Sequence, residues 1–353
     1  MAYTNTSDKV KACVIGAGSF GTVVANLLAE NGDVLIYSRR QDAIDSINKD
    51  KLNNGQQMHQ NVRATHDLQE ITESSYVLFP SVASDAFRPL MREMSPLLKP
   101  NHILIHCTKG FDIKLEEGQS LLDKDLKLRP ADIYTMSKVI LEETIVKRVG
   151  CMSGPNLARE IASMHPAATV IASKFDEVIR EGENAIRSKR LQVYGNHDIY
   201  AVELAGVLKN SMALAAGALG GLGYGNNAMA FLITRGLGEI IRLATAMGAE
   251  KQAFLGLAGI GDLIATCTSP LSRNYTVGSR LAKGETLEQI ISTSSEIAEG
   301  IKTVSISKKI ADACDVRTPI IQQTYKVLFE GLKVEEALQR LMEYRWGSDA
   351  DYM

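Results

Sequence analysis

Short apolar runs alternate with amphipathic segments through the first half of the chain. Seven runs have the length and composition of buried strands, at positions 10–15, 33–37, 76–80, 102–107, 150–153, 167–173 and 191–196. Helix-compatible segments separate most of them, whereas the polar segment 53–61 is predicted to be a loop. Repeated alternation of strands and helices predicts a doubly wound, mostly parallel α/β sheet.

Beyond position 198 the strand-like pattern disappears and helical periodicity replaces it. Helices are predicted at 198–219, 226–247, shortly after Gly261, and at 274–283, 286–291, 299–314, 319–330 and 334–343. A chain of 353 residues is longer than one hydrophobic core usually supports. We therefore predict two domains, an α/β domain at 1–193 and an all-α domain at 194–353.

The first apolar run ends directly in the sequence GAGSFG, at positions 16–21. A glycine turn between a strand and a helix is the fingerprint of a dinucleotide-binding, Rossmann-like domain. Gly16 permits the tight turn, Gly18 lets the backbone approach a pyrophosphate, and Gly21 lets the helix pack on the strand. Amide groups at the start of the helix face the anion. The alternative, a glycine-rich turn in an unrelated α/β protein, is disfavoured by this context.

The second strand is followed by Ser38, Arg39 and Arg40, where the fingerprint usually has an acidic residue that binds a ribose 2′-hydroxyl. Two guanidinium groups suit a 2′-phosphate better than a hydroxyl. The sequence therefore favours NADP(H) as the cofactor. Asp42 lies close by and keeps NAD(H) possible.

The apolar stretch 204–222 carries a lysine, Lys209, beside Asn210. Burying a lysine is costly and lowers its pKa toward the range useful for proton transfer. Lys209 is therefore a candidate catalytic group. The alternative is that Lys209 lies on a polar stripe of the helix and snorkels to water.

Three further polar sites are candidates for ligand binding. Lys109 follows a predicted strand at the edge of the sheet where ligands bind. The alternative interpretation of Lys109 is a solvated charge in a loop. Asp262 follows a glycine-rich loop, where a helix N-cap is the competing interpretation. The run 272–274, Ser-Arg-Asn, precedes a helix, which is a natural place to bind an anion.

Composition restricts the classes of function. A formal net charge of -2, with 23% charged residues, gives no basic surface that would call for nucleic acid. The five cysteines are widely separated and have no C-x-x-C pair, which favours free thiols in a reducing compartment, and no metal site is predicted. The first ten residues are polar, which predicts no signal peptide, and no apolar run is expected to reach the length of a membrane span. We expect a cytoplasmic protein that acts on a small molecule.

Several blocks of sequence resemble the soluble, bacterial type of NAD(P)-dependent glycerol-3-phosphate dehydrogenase. They follow one another in the family's order over nearly the whole chain: IGAGSFGT at 15–22, CTKG at 107–110, SGPN at 153–156, ELAGVLKN at 203–210, GLGYGNNAMAFLITRGLGEI at 221–240, GLAGIGDLIATCTSPLSRN at 256–274 and AEG at 298–300. The resemblance implies that the first domain binds the nicotinamide cofactor and that the helical domain binds dihydroxyacetone phosphate.

The resemblance also implies roles for individual residues. Lys209 matches the proton-transferring lysine, and Lys109 and Asp262 match substrate-site residues beside it. Further substrate-binding positions are Gly154, Asn156, Ser272, Arg273 and Asn274, the last three holding the phosphate. Cofactor-contacting positions, besides the glycines, are Ser19, Phe20, Arg39, Arg40, Lys109, Ala158, Arg273, Ile297 and Glu299.

The chain departs from the family pattern in two places. The segment 53–68 lacks the usual Tyr-Leu-Pro step, which puts an aromatic contact to the cofactor in doubt, and Asp85 stands where many bacterial relatives have arginine. Two alternatives to the implied function remain: a reductase of the same architecture acting on ketopantoate or a 3-hydroxyacid, and a non-catalytic dinucleotide sensor. The apolar helix predicted at 228–241 makes a homodimer plausible.

Overall fold

The structure is a computed structural model that describes residues 11–115, 119–121, 123, 126–294 and 298–345. Its contacts divide the chain into two compact units. Unit 1 contains residues 1–108 and 136–199, and unit 2 contains residues 109–135 and 200–353. The second unit thus includes an excursion, 109–135, from within the first half of the chain, which differs from the single boundary expected between 193 and 194.

The strands of unit 1 form one large sheet and a small hairpin. Before the excursion they are β1 (Ala12–Ile15), β2 (Val34–Tyr37), β3 (Leu52–Asn53), β4 (Gln56–Gln57), β5 (Val62–Thr65), β6 (Val77–Pro80) and β7 (Ile103–His106). After the excursion they are β10 (Arg148–Ser153), β11 (Ala167–Ser173) and β12 (Leu191–Asn196). The two strands within the excursion, β8 (Asp112–Ile113) and β9 (Ile133–Tyr134), belong to unit 2. The order in the large sheet is β12-β11-β10-β7-β6-β1-β2-β5. All neighbouring strands are parallel except β10 and β11. The predicted doubly wound, mostly parallel sheet is confirmed.

Helices with buried apolar residues pack around the sheet of unit 1. They are α1 (Ser19–Ala29), α2 (Gln41–Lys49), α3 (Leu68–Ser74), α4 (Ser84–Met94), α5 (Met136–Glu143), α6 (Ala158–Ala162) and α7 (Asp176–Ile186). Residues of α1, α7 and the central strands share one hydrophobic core, which includes Val14, Val24, Ile36, Phe79 and Ile105. This core holds the C-terminal end of β1 in place, and with it the start of α1.

The segment predicted to be a loop at 53–61 contains the β3–β4 hairpin. Asn53 pairs with Gln56 across it, and the two residues of the turn, Asn54 and Gly55, have φ of 50° and 72°. A two-residue turn with two positive φ angles is the type that Asn-Gly favours, because it matches the twist of the strands. The Asn-Gly pair was the available sequence signal for this hairpin.

Unit 2 is built almost entirely from helices. They are α8 (Ile199–Gly221), α9 (Asn226–Ala246), α10 (Asp262–Thr268), α11 (Arg273–Ala282), α12 (Leu287–Thr293), α13 (Glu299–Ala313), α14 (Pro319–Phe329) and α15 (Val334–Glu343). Their bounds agree with the predicted helices to within about two residues, which is the usual uncertainty of helix ends. The all-α character predicted for this half is confirmed among its described residues, and the antiparallel strand pair β8–β9 of unit 2 lies in the 109–135 excursion.

Helix α8 is 23 residues long. It is long and apolar enough to cross a membrane, so the expectation that no apolar run reaches that length was wrong. However, 89% of its most apolar 18-residue stretch is buried inside the protein. Burial against other helices accounts for its apolar composition.

Helices α8 and α11 cross at very short range. A Cβ atom at Gly278 would lie 1.9 Å from the carbonyl oxygen of Leu214, and one at Gly217 would lie 1.9 Å from the carbonyl oxygen of Tyr275. Only glycine permits such an approach of two backbones. The crossing therefore fixes the first turn of α11 relative to the middle of α8, where Lys209 lies.

Candidate active site

Lys209 is buried near the middle of α8, with 6% of its surface exposed. Its ammonium nitrogen lies 2.7 Å from Oδ1 of Asp262 and also donates a hydrogen bond to the hydroxyl of Thr266. The side chain therefore does not snorkel to water, and that alternative was wrong. A buried ammonium group needs such partners because the loss of its hydration is otherwise uncompensated.

Asp262 joins two lysines. While Oδ1 pairs with Lys209, Oδ2 lies 2.6 Å from the ammonium nitrogen of Lys109. The carboxylate is 2% exposed and does not cap the helix, because Asp262 is the first residue of α10 and Gly261 precedes it as the cap. The N-cap interpretation of Asp262 was therefore wrong.

Lys109 is the more accessible of the two lysines. It begins the 109–135 excursion, which places it in unit 2 with Lys209, and 23% of its side chain is exposed. A lysine held by a buried carboxylate and still open to solvent can reach a small ligand. The alternative of a simple solvated loop charge does not describe this geometry.

The backbone before α10 has a π-helical turn, Leu257–Gly261. A Cβ atom at Gly259 would lie 2.1 Å from the carbonyl oxygen of Phe254, so this turn depends on glycine. π-Helical turns are rare and occur frequently at functional sites, where they change the direction of the following side chains. Here the turn immediately precedes Asp262.

Thr266 belongs to the same network and was missed in the sequence. Its hydroxyl donates to the carbonyl oxygen of Asp262 at 2.7 Å, so its lone pairs are left to accept from Lys209. The signal that could have identified it is its position four residues after Asp262, one turn along the same helix face.

Burial dominates the electrostatics of this network. The loss of hydration lowers the pKa of Lys209 to about 8, with the attraction of Asp262 acting against this effect and the repulsion from Lys109 adding to it. The neighbouring thiol of Cys267 is also fully buried, and burial raises its pKa to about 12. The lysine can therefore exchange a proton near neutral pH, whereas the thiol stays protonated.

Gly300, at the start of α13, lies between the first turn of α11 and Asn210, the residue after Lys209. Asn274 Oδ1 accepts a hydrogen bond from the amide of Gly300 at 2.9 Å, and a Cβ atom at Gly300 would lie 2.8 Å from the carbonyl oxygen of Asn210. The hydroxyl of Ser272 accepts from the amide of Tyr275 and caps α11. The 272–274 run thus begins a helix, where backbone amides and the helix dipole favour an anion.

Arg273 and Glu299 occupy similar positions on two helices. Arg273 is exposed and is the first residue of α11, whereas Glu299 is partly buried and is the first residue of α13. The contact of Gly300 with Asn274 brings these two helix starts together. A cation at the start of a helix is not placed there by the helix dipole, which favours anions.

The glycine turn of unit 1 has the geometry that a dinucleotide pyrophosphate requires. Gly16 has a φ of 118°, and a Cβ atom at Gly21 would lie 1.9 Å from the carbonyl oxygen of Gly16. In contrast, apart from Gly18 and its chain neighbours, no atom of the described residues lies within 4 Å of the position of a Cβ at Gly18. Ser19 and Phe20 then begin α1. The turn is thus tightly packed on its protein side and open beside Gly18, which fits a bound pyrophosphate.

Arg39 and Arg40 follow β2 and are both more than half exposed. Arg39 lies 2.7 Å from a carboxylate oxygen of Glu93, and Arg40 lies 3.8 Å from Asp42. These exposed ion pairs are weak. They leave both guanidinium groups able to turn toward a phosphate.

The remaining predicted positions of unit 1 lie in the turn after β10. Gly154 has a φ of 140°, and Asn156 donates from Nδ2 to the hydroxyl of Thr169 at 2.9 Å. The Oδ1 atom of Asn156 is buried and has no hydrogen-bond partner within the described ranges. Ala158 begins α6. Ile297 lies outside the described residues.

Two protein-family models match the chain. The one described as NAD-dependent glycerol-3-phosphate dehydrogenase N-terminus matches residues 11–179, and the corresponding C-terminus model matches residues 198–339. Together they cover both units of the structure, including the glycine turn and the lysine network.

Individual relatives agree with the family models. The glycerol-3-phosphate dehydrogenase [NAD(P)+] of Teredinibacter turnerae is 39% identical over 350 residues, which is 98% of each chain. That of Macrococcus caseolyticus is 37% identical and covers 94% of this chain and 98% of its own.

A solved structure also matches the fold closely. The crystal structure of glycerol-3-phosphate dehydrogenase from Coxiella burnetii superposes with a TM-score of 0.83 at 31% identity, covering 94% of this chain and 98% of that one. Similarity of this extent in sequence and in fold is expected only between members of one family. The chain therefore belongs to the NAD-dependent glycerol-3-phosphate dehydrogenase family.

Proposed function

We propose that the protein catalyses the reversible, NAD(P)H-dependent reduction of dihydroxyacetone phosphate to sn-glycerol 3-phosphate. The observation that carries this proposal is the buried Lys209–Asp262–Lys109 network, a proton donor beside a second, accessible cation. A nicotinamide cofactor, when bound, supplies the hydride that adds to C2 of the ketone. The residues of the chain must bind the substrate, stabilise the developing alkoxide and deliver a proton.

Lys209 is the proton donor in this proposal. As the hydride adds to C2, the carbonyl oxygen gains negative charge, and the ammonium group of Lys209 transfers a proton to it. The product is the secondary alcohol, and Lys209 is left neutral until water reprotonates it. A lowered pKa suits this step because a good general acid titrates near the working pH.

Lys109 positions the substrate oxygen and stabilises its charge. Asp262 holds both ammonium groups through separate oxygens, so the two cations stay close together in spite of their repulsion. The main alternative to this assignment makes Lys109 the proton donor and Lys209 the positioning charge. Burial favours Lys209, because loss of hydration lowers its pKa, whereas the side chain of Lys109 is more exposed to solvent.

The substrate phosphate binds at the start of α11. Arg273 supplies a guanidinium group, and the helix start supplies amides and a favourable dipole. Asn274 holds Gly300 and so positions this turn beside Asn210. Ser272 contributes by capping the helix.

The cofactor binds along the glycine turn of unit 1, with its pyrophosphate at the start of α1. Arg39 and Arg40 favour NADP(H), while NAD(H) remains usable because both arginines lie at an exposed edge. Ser19, Phe20 and Ala158 are further cofactor contacts in this proposal, together with Glu299. Gly154 and Asn156 contribute to the substrate site.

The test is the rate of NADPH oxidation by the purified protein with dihydroxyacetone phosphate, with ketopantoate, and with no added substrate. We expect rapid oxidation with dihydroxyacetone phosphate alone, and stoichiometric glycerol 3-phosphate as the product. Oxidation with ketopantoate alone would assign the protein to another reductase class. Tight NADPH binding without oxidation of any substrate would favour a sensor.

In the cell, we propose, the enzyme acts in the cytoplasm and supplies glycerol 3-phosphate for phospholipid synthesis. We also propose a homodimer, because the first half of α9 leaves apolar side chains such as Met229, Phe231 and Ile233 partly exposed beside the exposed Tyr224. Light scattering should give twice the chain mass of 38.4 kDa. A monomer at micromolar concentration would contradict the dimer.

A further inference from the structure

The β3–β4 hairpin contacts the glycine turn through two asparagine side chains. Asn53 donates from Nδ2 to the carbonyl oxygen of Ala17 at 3.0 Å and to the hydroxyl of Thr22 at 2.7 Å. Asn54 donates to the same two acceptors, at 3.0 and 3.1 Å. Ala17 lies inside the GAGSFG turn and Thr22 lies in the first turn of α1.

The hydroxyl of Thr22 determines the direction of these bonds. It donates its only proton to the carbonyl oxygen of Gly18 at 2.8 Å, so toward the asparagines it can only accept. Both amide groups must therefore present their NH2 ends to the turn. Thr22 is fully buried and Asn53 is 4% exposed, so water does not compete for the bonds of Asn53, whereas Asn54 is exposed.

The carbonyl oxygens of Ala17 and Gly18 consequently both accept hydrogen bonds from donors within the protein. The Ala17 oxygen accepts from the hairpin, and the Gly18 oxygen accepts from the amide and hydroxyl of Thr22. In a trans peptide the N–H points opposite to the C=O. Holding the Ala17 oxygen against the hairpin therefore turns the Gly18 N–H away from it and keeps a repulsive oxygen away from a bound phosphate.

We propose that Asn53 and Asn54 are positioning residues for the cofactor, which hold the glycine turn in its anion-binding conformation before the cofactor arrives. This inference rests on the proposed function, since it presumes a dinucleotide beside Gly18. The turn is short and rich in glycine, so it would lose much conformational freedom on binding if it were not held in place. Preorganisation removes that cost from the binding free energy.

The experiment is a titration of the full-length protein with NADPH, followed by cofactor fluorescence, in the wild type and in the double variant Asn53→Ala with Asn54→Gly. Glycine at 54 retains the positive φ of the turn and removes only the amide. We expect the Kd for NADPH to rise roughly tenfold, or about 1.4 kcal/mol. The KM for NADPH should rise by a similar factor while kcat and the KM for dihydroxyacetone phosphate change little.

The matched control is Asn48→Ala. Asn48 also makes two hydrogen bonds in unit 1, to the backbone of Ala64 at 2.8 and 3.0 Å, but none to the glycine turn. An unchanged Kd in the double variant would overturn the inference, as would an equal rise in the control. If the wild type itself failed to bind NADPH, the proposed function would fail instead. A folded variant is verified by an unchanged circular dichroism spectrum.

Discussion

At the scale of single residues, burial assigns a role that sequence alone left open. Snorkelling and catalysis explained Lys209 equally well in the sequence, because a helical pattern does not reveal what surrounds a side chain. The structure places its ammonium group between Asp262 and Thr266 with 6% of the residue exposed. A charge held in this way has a lowered pKa and fixed partners, which are the properties of a proton donor.

The pH dependence of the reaction should follow the ionisation of Lys209. Its pKa is lowered to about 8 by burial. Reduction needs the protonated lysine, so kcat for reduction should fall as the pH rises through about 8. Oxidation of glycerol 3-phosphate needs the neutral lysine, so its kcat should rise over the same range. Steady-state profiles in both directions check this, and profiles that share one direction would contradict it.

Substitution Asp262→Asn should move this transition to lower pH. The carboxylate raises the pKa of Lys209, whereas burial and Lys109 lower it, so the lowering effects dominate in the variant. The midpoint of the reduction profile should therefore shift toward acid, and the melting temperature should fall because two close cations lose their shared partner. A midpoint that stays in place would show that Asp262 does not set the ionisation of Lys209.

Cofactor preference should depend on the two arginines after β2. In the double variant Arg39→Ala with Arg40→Ala, kcat/KM for NADPH should fall about 10-fold or more, because charge-assisted bonds to the 2′-phosphate are lost. The value for NADH should change little. Arg63→Ala is the control, since Arg63 is another exposed arginine of unit 1, paired with Glu70. A clear NADH preference in the wild type would refute the assignment of NADP(H).

At the scale of elements, most helices and strands could be predicted because their apolar periodicity is strong. Two of the exceptions have clear physical reasons. The hairpin at 52–57 is too short for periodicity and depends on turn chemistry, namely Asn54-Gly55. The strand β5, Val62–Thr65, was missed because it contains Arg63 and lies at an edge of the sheet, where one exposed side chain interrupts the apolar pattern.

The crossing of α8 and α11 should tolerate no added methyl group. In Gly278→Ala the new Cβ would meet the Leu214 carbonyl oxygen, and two backbones would have to move apart. We expect a loss of about 1–3 kcal/mol in the free energy of unfolding. The KM for dihydroxyacetone phosphate should also rise, because the start of α11 moves with the helix. Thermal denaturation and steady-state kinetics measure the two effects.

Gly225→Ala is the control for this substitution. Its Cβ would meet no atom within 4 Å, and its φ of -92° suits alanine. If both variants lost the same stability, the close crossing would not explain the requirement for glycine at position 278.

At the scale of the whole molecule, the division into an α/β unit and a helical unit follows from the change of periodicity near position 198. The excursion 109–135 could not be predicted in this way. It leaves the first unit directly after β7 and carries Lys109 into the second, where Asp262 holds it. No local pattern encodes a pairing between residues 153 positions apart. The lysines and the aspartate could be proposed from the sequence as candidates, but only the fold joins them into one network.

The most direct test of the account is the rate of NADPH oxidation at saturating dihydroxyacetone phosphate in the wild type, in Lys209→Ala and in Lys283→Ala, an exposed lysine of the same unit. We predict that Lys209→Ala still binds NADPH but loses roughly 10²- to 10⁴-fold in kcat, the usual contribution of a general acid. Lys283→Ala should match the wild type. An unchanged kcat in Lys209→Ala would contradict its role as the proton donor.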